Sequence, residues 1–168
     1  AGIKIPFTRE LQKVEGVKVP HELQPSTHAC GYVLQAFMVK ENSFKGLRYF
    51  LVARGEYNYK NKAGYKYGNY FSASAYFSKH LMYNWIKGDW TTILQLRNEF
   101  RGKDYINDRV VESTGGYSLL IMPQINYTIK DKWNISLMGN IPVYQYLNGI
   151  QLATNFGLAL NFSGDFSL

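Results

Sequence analysis

The chain has 168 residues and a net charge of +7; 46% of its residues are hydrophobic, 16% aromatic and only 18% charged. That length holds one domain, residues 1–168, with a sizeable interior, and the aromatic content excludes a disordered chain. The single cysteine, Cys30, excludes an intrachain disulfide framework and a cysteine-based zinc cluster. No apolar run approaches the roughly 18 residues of a membrane-spanning helix. The positive charges do not form a run: Lys60, Lys62, Lys79, Lys87, Arg97, Arg101, Lys103, Lys130 and Lys132 sit singly. With no recognisable binding module beside them, no nucleic-acid partner is expected.

In chain order, the first element is a short strand at residues 3–7, and residues 28–42 are ambiguous. From Leu47 the alternation is strict. Leu47, Tyr49, Leu51, Ala53, Gly55, Tyr57 and Tyr59 oppose Arg48, Phe50, Val52, Arg54, Glu56, Asn58 and Lys60, the period-two mark of a strand with two unlike faces. Around residues 69–80, Phe71, Ala73, Ala75 and Phe77 oppose Ser72, Ser74 and Ser78. From Thr92 the apolar set is Leu94, Leu96 and Phe100, broken only by Asn98, against Gln95, Arg97, Glu99 and Arg101. From Tyr117, the odd positions through Ile129 are apolar or aromatic apart from Pro123, and the other face ends in Gln124, Asn126, Thr128 and Lys130. Next, Trp133, Ile135, Leu137, Gly139, Ile141 and Val143 oppose Asn134, Ser136, Met138 and Asn140. The last alternation sets Phe156, Leu158, Leu160, Phe162, Phe166 and Leu168 against Asn155, Ala159, Asn161, Ser163 and Asp165.

Length separates two β readings. These stretches run about 10–15 residues, whereas strands of soluble sheets average about five or six and a strand tilted across a bilayer needs roughly 9–11. Aromatics bracket the apolar faces, as interfacial Tyr and Trp do. Pro123 and Pro142 run against the pattern, because each removes a ladder hydrogen bond. The connections alternate: 41–46, 82–89 and 130–132 on one side, and 8–27, 61–68, 102–116 and 147–153, mostly longer, on the other. Outer-membrane barrels have short periplasmic turns and longer outer loops. The expectation is an all-β, antiparallel transmembrane β-barrel of about eight strands, its C-terminus on the periplasmic side.

Candidate chemistry is sparse. His21, His28 and His80 lie at no metal-ligand spacing, and no phosphate loop, dinucleotide fingerprint or CxxC pair occurs. Neither a metal nor another cofactor is expected. Ser78, His80 and Glu99 are the one combination that could offer a hydrolase, and they read more simply as strand-end polar residues. Cys30 reads as a small strand residue, since no activating base is visible. The informative charges are Arg54, Glu56, Arg97, Glu99 and Arg101. Alternation turns them away from the apolar face, and an Arg or Lys facing lipid at mid-bilayer would cost about 2–4 kcal/mol. They are expected to face the lumen, either pairing into a plug or lining a water-filled path that favours anions.

The C-terminal third carries Ser113-Thr114-Gly115-Gly116, Met122-Pro123-Gln124-Ile125-Asn126-Tyr127, Asp131-Lys132-Trp133, Ile141-Pro142-Val143-Tyr144-Gln145 and Asn148-Gly149-Ile150-Gln151-Leu152. These motifs resemble the closing hairpins of outer-membrane barrels of the transporter-like, phenol meta-pathway group common in Bacteroidota. Gly2-Ile3-Lys4-Ile5-Pro6 and Leu23-Gln24-Pro25 resemble the upstream strand and loop of that group. The resemblance touches both ends of the chain, more weakly the middle, and has Pro123 and Pro142 inside its motifs. Because members of the group run longer at the N-terminus, it implies that this chain is the C-terminal part of a larger barrel. Members usually end in an aromatic residue, whereas this chain ends Asp165-Phe166-Ser167-Leu168.

The function expected is therefore a non-enzymatic barrel of the Gram-negative outer membrane. It would pass or bind a small solute, or serve as the barrel subunit of an envelope complex. Outer-membrane lipid and other envelope subunits would be its partners. Two rivals stand beside it. One is a soluble, lipocalin-like barrel with its apolar faces turned inward around an apolar ligand; the other is a lipid-modifying outer-membrane enzyme.

Overall fold

The computed structural model describes residues 1–6, 11–20, 23–24, 26–81, 88–129 and 132–164. Its strands in chain order are β1 (Gly2–Lys4), β2 (Lys13–Val14), β3 (Val17–Lys18), β4 (Gly31–Asn42), β5 (Leu47–Asn58), β6 (Tyr65–Lys66), β7 (Tyr70–Leu81), β8 (Asp89–Arg101), β9 (Asp104–Ile106), β10 (Arg109–Val111), β11 (Gly116–Ile129), β12 (Trp133–Leu147) and β13 (Gly157–Gly164). The main body is an eight-stranded antiparallel sheet in the order β1-β4-β5-β7-β8-β11-β12-β13. Each long strand pairs with the next long strand in sequence, so the sheet is an up-and-down meander. Small sheets β10-β9-β6 and β2-β3 are built from the connections.

Register carries the alternation from strand to strand. Leu51 pairs with Met38 and Ala75, Ala75 with Leu96, Leu96 with Ile121, and Ile121 with Ile141. Along this row one face of the sheet is therefore apolar from β4 to β12. The opposite face carries Arg54, Ser72, Glu99 and Ser118 in a single row. The segment ambiguous in sequence is β4, paired with β5 along its whole length. It shows no alternation because it is apolar on both faces: Leu34, Ala36 and Met38 lie with Leu51, whereas Val33, Phe37 and Val39 lie with Glu56, Val52 and Phe50.

The two prolines sit where the ladder already lapses. In the β11–β12 ladder, Ile121 pairs with Ile141 and Gln124 with Met138, and Pro123 is skipped. Gly139 faces the Pro123 ring, which a Cβ there would touch at an ordinary contact distance of 3.4 Å. Pro142 adjoins a β-bulge, since Leu119 pairs with Tyr144 but Leu120 with Pro142. The extra residue is Val143, so beyond it the apolar face passes to Tyr144 and Tyr146. Simple alternation, which puts Val143 on that face, is corrected here by one inserted residue.

At the end of the sheet where β4 runs into β5, a single 3-10 turn at Ser43–Lys45 makes the connection. Its Asn42 side chain accepts from the Lys45 N–H, and Gly46 takes the left-handed conformation at φ 59° that closes it. The connections at the opposite end carry β2, β3, β6, β9 and β10. These two ends are called the turn end and the loop end below.

The closed barrel expected from the sequence is not found among the described residues: β1 and β13 are the two edges of the sheet. The reason lies in their extents. β1 covers only Gly31–Val33 of β4, at the loop end, whereas β13 pairs with Trp133–Asn140, the turn-end half of β12. No ladder joins them. The main-chain groups of β4 from Leu34 to Asn42 therefore form a free edge. Of the expected last strand, residues 165–168 lie outside the described residues, as does Phe7 of the first.

Burial is unusual for an all-β chain of this size. Among the described hydrophobic residues only Ala29, Tyr65 and Met122 are buried, while Leu34, Leu51, Leu94, Leu96, Leu158 and Leu160 are exposed. The most deeply buried groups are mainly polar and cluster at the loop end: Asp104, His28, Asn58, Asn61 and Thr114.

Candidate functional site

The register places Arg54, Glu56, Arg97, Glu99 and Arg101 on the same face, opposite the apolar one. Across the strands, Glu56 pairs with Tyr70 and Tyr70 with Arg101; Arg54 pairs with Ser72 and Ser72 with Glu99; Val52 pairs with Ser74 and Ser74 with Arg97. The charges are bonded within this grid. Glu56 Oε1 accepts from Arg54 Nε at 2.8 Å and Oε2 from Lys4 Nζ at 2.9 Å, so β1 is tied to β5 across β4. Glu99 accepts from the Tyr70 hydroxyl at 2.9 Å and pairs with Arg97 at 2.5 Å. Gln95 donates to Ser74 and to the Tyr76 hydroxyl.

The signs of charge are unequally exposed. The carboxylate side chains of Glu56 and Glu99 are 15% and 28% exposed, against 44% and 37% for Arg54 and Arg97. The shorter acidic side chains lie against the sheet, and the guanidiniums reach over them. The face is thus lined by cations whose counter-charges sit behind them.

Arg101 differs in its partner. It reaches Asp104 at 3.2 Å, and Asp104, 1% exposed, organises the loop end. Its carboxylate accepts from the Tyr65 hydroxyl at 2.5 Å and the Gly68 N–H at 2.7 Å, and its own N–H donates to Thr114 Oγ1 at 2.8 Å. Asn58 donates from its side chain to the Gly68 carbonyl and accepts from Lys4 Nζ at 3.2 Å, and its N–H donates to the Asn69 side chain. Burial and the bond to Asp104 push the Tyr65 phenol well above the usual tyrosine range. Sequence reading treated residues 61–68 and 102–116 as plain connections and missed this cluster. The available signal was Asn61, Gly64, Gly68, Gly102 and Gly115 around Tyr65 and Asp104, a density of turn formers compatible with tight packing.

The hydrolase combination is not assembled. Ser78 and His80 share the polar face, but Glu99 pairs with Ser72, whereas His80 pairs with Thr91 eight residues away along β8. At about 3.3 Å per residue that is roughly 26 Å. His80 Nδ1 instead meets Thr91 Oγ1 at 3.3 Å. His28 is buried beside Gln24 and Ser26, Cys30 is exposed, and His21 lies outside the described residues. Among the described residues, no three His, Cys, Asp or Glu side chains gather as a metal site.

The rings on the apolar face form two bands. Trp90 stacks on Tyr127 at 4.4 Å and Trp133 on Phe162 at 5.3 Å towards the turn end. Phe71 pairs with Phe100, Phe100 with Tyr117 and Tyr117 with Tyr146 towards the loop end. The bands are ten residues apart on both β8 (Trp90 to Phe100) and β11 (Tyr117 to Tyr127). At about 3.3 Å per residue and a tilt of about 40°, that is a height of roughly 25 Å. No family model matches the chain, and neither a curated protein nor a solved structure matches it.

Proposed function

We propose that this sheet is part of the wall of an outer-membrane β-barrel in a Gram-negative envelope. Its apolar face meets lipid and its charged face meets a lumen through which a small solute passes or in which it binds. The carrying observation is the pair of aromatic bands on one apolar face, separated by the height of a bilayer's apolar layer, with Arg54, Glu56, Arg97, Glu99 and Arg101 all on the other face. A soluble single-layer sheet would have to bury its apolar face under a second layer. Here Leu94, Leu96, Leu158 and Leu160 are uncovered, which also speaks against a lipocalin-like barrel with apolar residues turned inward. The motifs resembling the transporter-like, phenol meta-pathway barrels supply β11, β12 and the connection that follows, and so favour the same reading.

Open sheet edges do not persist in hydrocarbon, so this reading requires strand partners for Leu34–Asn42 of β4 and for β13. β4 and β13 run in the same direction, both towards the turn end. Antiparallel closure between them therefore takes an odd number of strands, β1 included. Added to the seven long strands, that makes the total even, as in single-chain bacterial barrels.

The test uses the tryptophan fluorescence of Trp85→Phe, whose remaining emitters are Trp90 and Trp133. Folded into vesicles whose acyl chains are brominated, the protein loses much of its tryptophan emission relative to unbrominated vesicles. Undiminished emission, together with a cooperative fold in detergent-free buffer, overturns the reading in favour of a soluble barrel.

A further inference from the structure

The charged face has a gap between its two Arg-Glu pairs. Arg54 on β5 and Arg97 on β8 are separated by β7 and offset by two residues along it, about 12 Å in all. β7 presents only Ser72 and Ser74 there, the direct register partners of Arg54 and Arg97. Two long cationic side chains thus flank a floor of small hydroxyl side chains. The larger residues, Tyr70 and Tyr76, stand above and below it on the same strand.

Bonding leaves donors in this gap and few acceptors. Glu56 is engaged on both oxygens, by Arg54 and by Lys4. Glu99 takes both Tyr70 and Arg97 on Oε1, so its Oε2 is the one carboxylate oxygen left unbonded there. Arg54 uses Nε and Nη2 on Glu56, and Arg97 uses Nη2 on Glu99. A guanidinium carries five N–H donors, so each retains free ones. Lys4, Arg54 and Arg97 against Glu56 and Glu99 leave one net positive charge, carried by the more exposed partners.

We propose that Arg54 and Arg97, over Ser72 and Ser74, form a binding site for a small oxyanion, a carboxylate or a phosphate ester. The planar fork of each guanidinium fits two oxygens of such a group, and the serine hydroxyls donate from below. The inference deepens the lumen reading above and rests on it for access to the site from water.

The test is equilibrium dialysis of labelled succinate and, separately, of inorganic phosphate against the folded protein in detergent micelles. Saturable binding of at least one probe is expected. It weakens about tenfold or more in Arg54→Gln and in Arg97→Gln, as the loss of a charge-assisted hydrogen bond predicts. Ser74→Leu fills the floor while keeping every charge and weakens binding to a similar extent, so it decides the matter if an arginine variant fails to fold. Arg48→Gln, on the same face but paired with Glu41, stays within about twofold of the unaltered chain by the same reckoning. Preference for succinate or for phosphate separates carboxylate from phosphate ligands. No saturable binding of either probe overturns the proposal, as does an equal loss in Arg48→Gln, which would mark a diffuse counter-ion effect. The assay needs no conductance, so a sealed barrel that binds succinate and a protein that ignores brominated lipid give distinct results.

Discussion

Asn98 Nδ2 donates to the Tyr117 hydroxyl at 3.1 Å, from β8 to β11, on the apolar face. Asn98 occupies the row Ala36-Ala53-Ala73-Asn98-Leu119, where a polar amide facing lipid needs a partner. Tyr117, in the adjoining aromatic row, supplies it. Tyr117→Phe removes the acceptor and costs about 1–3 kcal/mol for the orphaned amide. Asn98→Leu removes the amide and costs less, because the Tyr117 hydroxyl left behind stands in the aromatic band. Urea unfolding of the protein in lipid vesicles checks both, and the order reverses if the face meets water.

Opposite faces of the wall respond oppositely to the same substitution. Leu96 lies midway between the aromatic bands, in the row with Ala75 and Ile121. Leu96→Arg costs about 2–4 kcal/mol where lipid surrounds that row. Ser118→Arg, in the charged row with Arg54 and Glu99, costs well under that. The same vesicle unfolding curves measure the difference, and equal costs at the two sites would remove the membrane assignment.

How much of this was legible in the chain depended on period. Strands with unlike faces were read nearly to their ends, β5 and β8 among them, because each residue pair declares a face. β4 hid because Val33, Phe37 and Val39 are as apolar as Leu34, Ala36 and Met38, so alternation carried no information. The bulge at Val143 hid for a related reason: Ile141, Val143, Tyr144 and Tyr146 are all compatible with an apolar face, and only the register with Leu119 and Leu120 shows the shift. The shared face of the five charges followed from parity alone. The Asp104 cluster did not, since its contacts join residues 36 and 39 positions apart in segments without a period.

At that cluster, space is as restrictive as charge. A Cβ on Gly68 would fall 1.9 Å from the Gly102 carbonyl oxygen, a rigid backbone atom. Gly68 also donates to Asp104 and accepts from Asn58. Gly68→Ala is expected to cost about 1–3 kcal/mol through overpacking, expressed locally. Limited proteolysis should open residues 61–68 and 102–115 while the long strands stay protected. Protection unchanged from the parent chain would mean that the loop end adjusts freely.

Tyr65 gives the loop end a pH dependence of definite sign. Its phenol is raised in the folded state by burial first and by Asp104 second, so folding favours the protonated form. The stability it contributes is complete below the unfolded value of about 10 and is lost as pH climbs from there through the higher folded value. Hydrogen exchange in β6 and β9 is therefore steady from neutral pH up to about 10, once the intrinsic rate is divided out, and quickens above it. Tyr65→Phe cannot ionise, and it removes a bond to a charged acceptor worth about 1.5–3 kcal/mol. It exchanges faster at neutral pH and loses the alkaline break. An alkaline break that persists in Tyr65→Phe would assign the transition to another group.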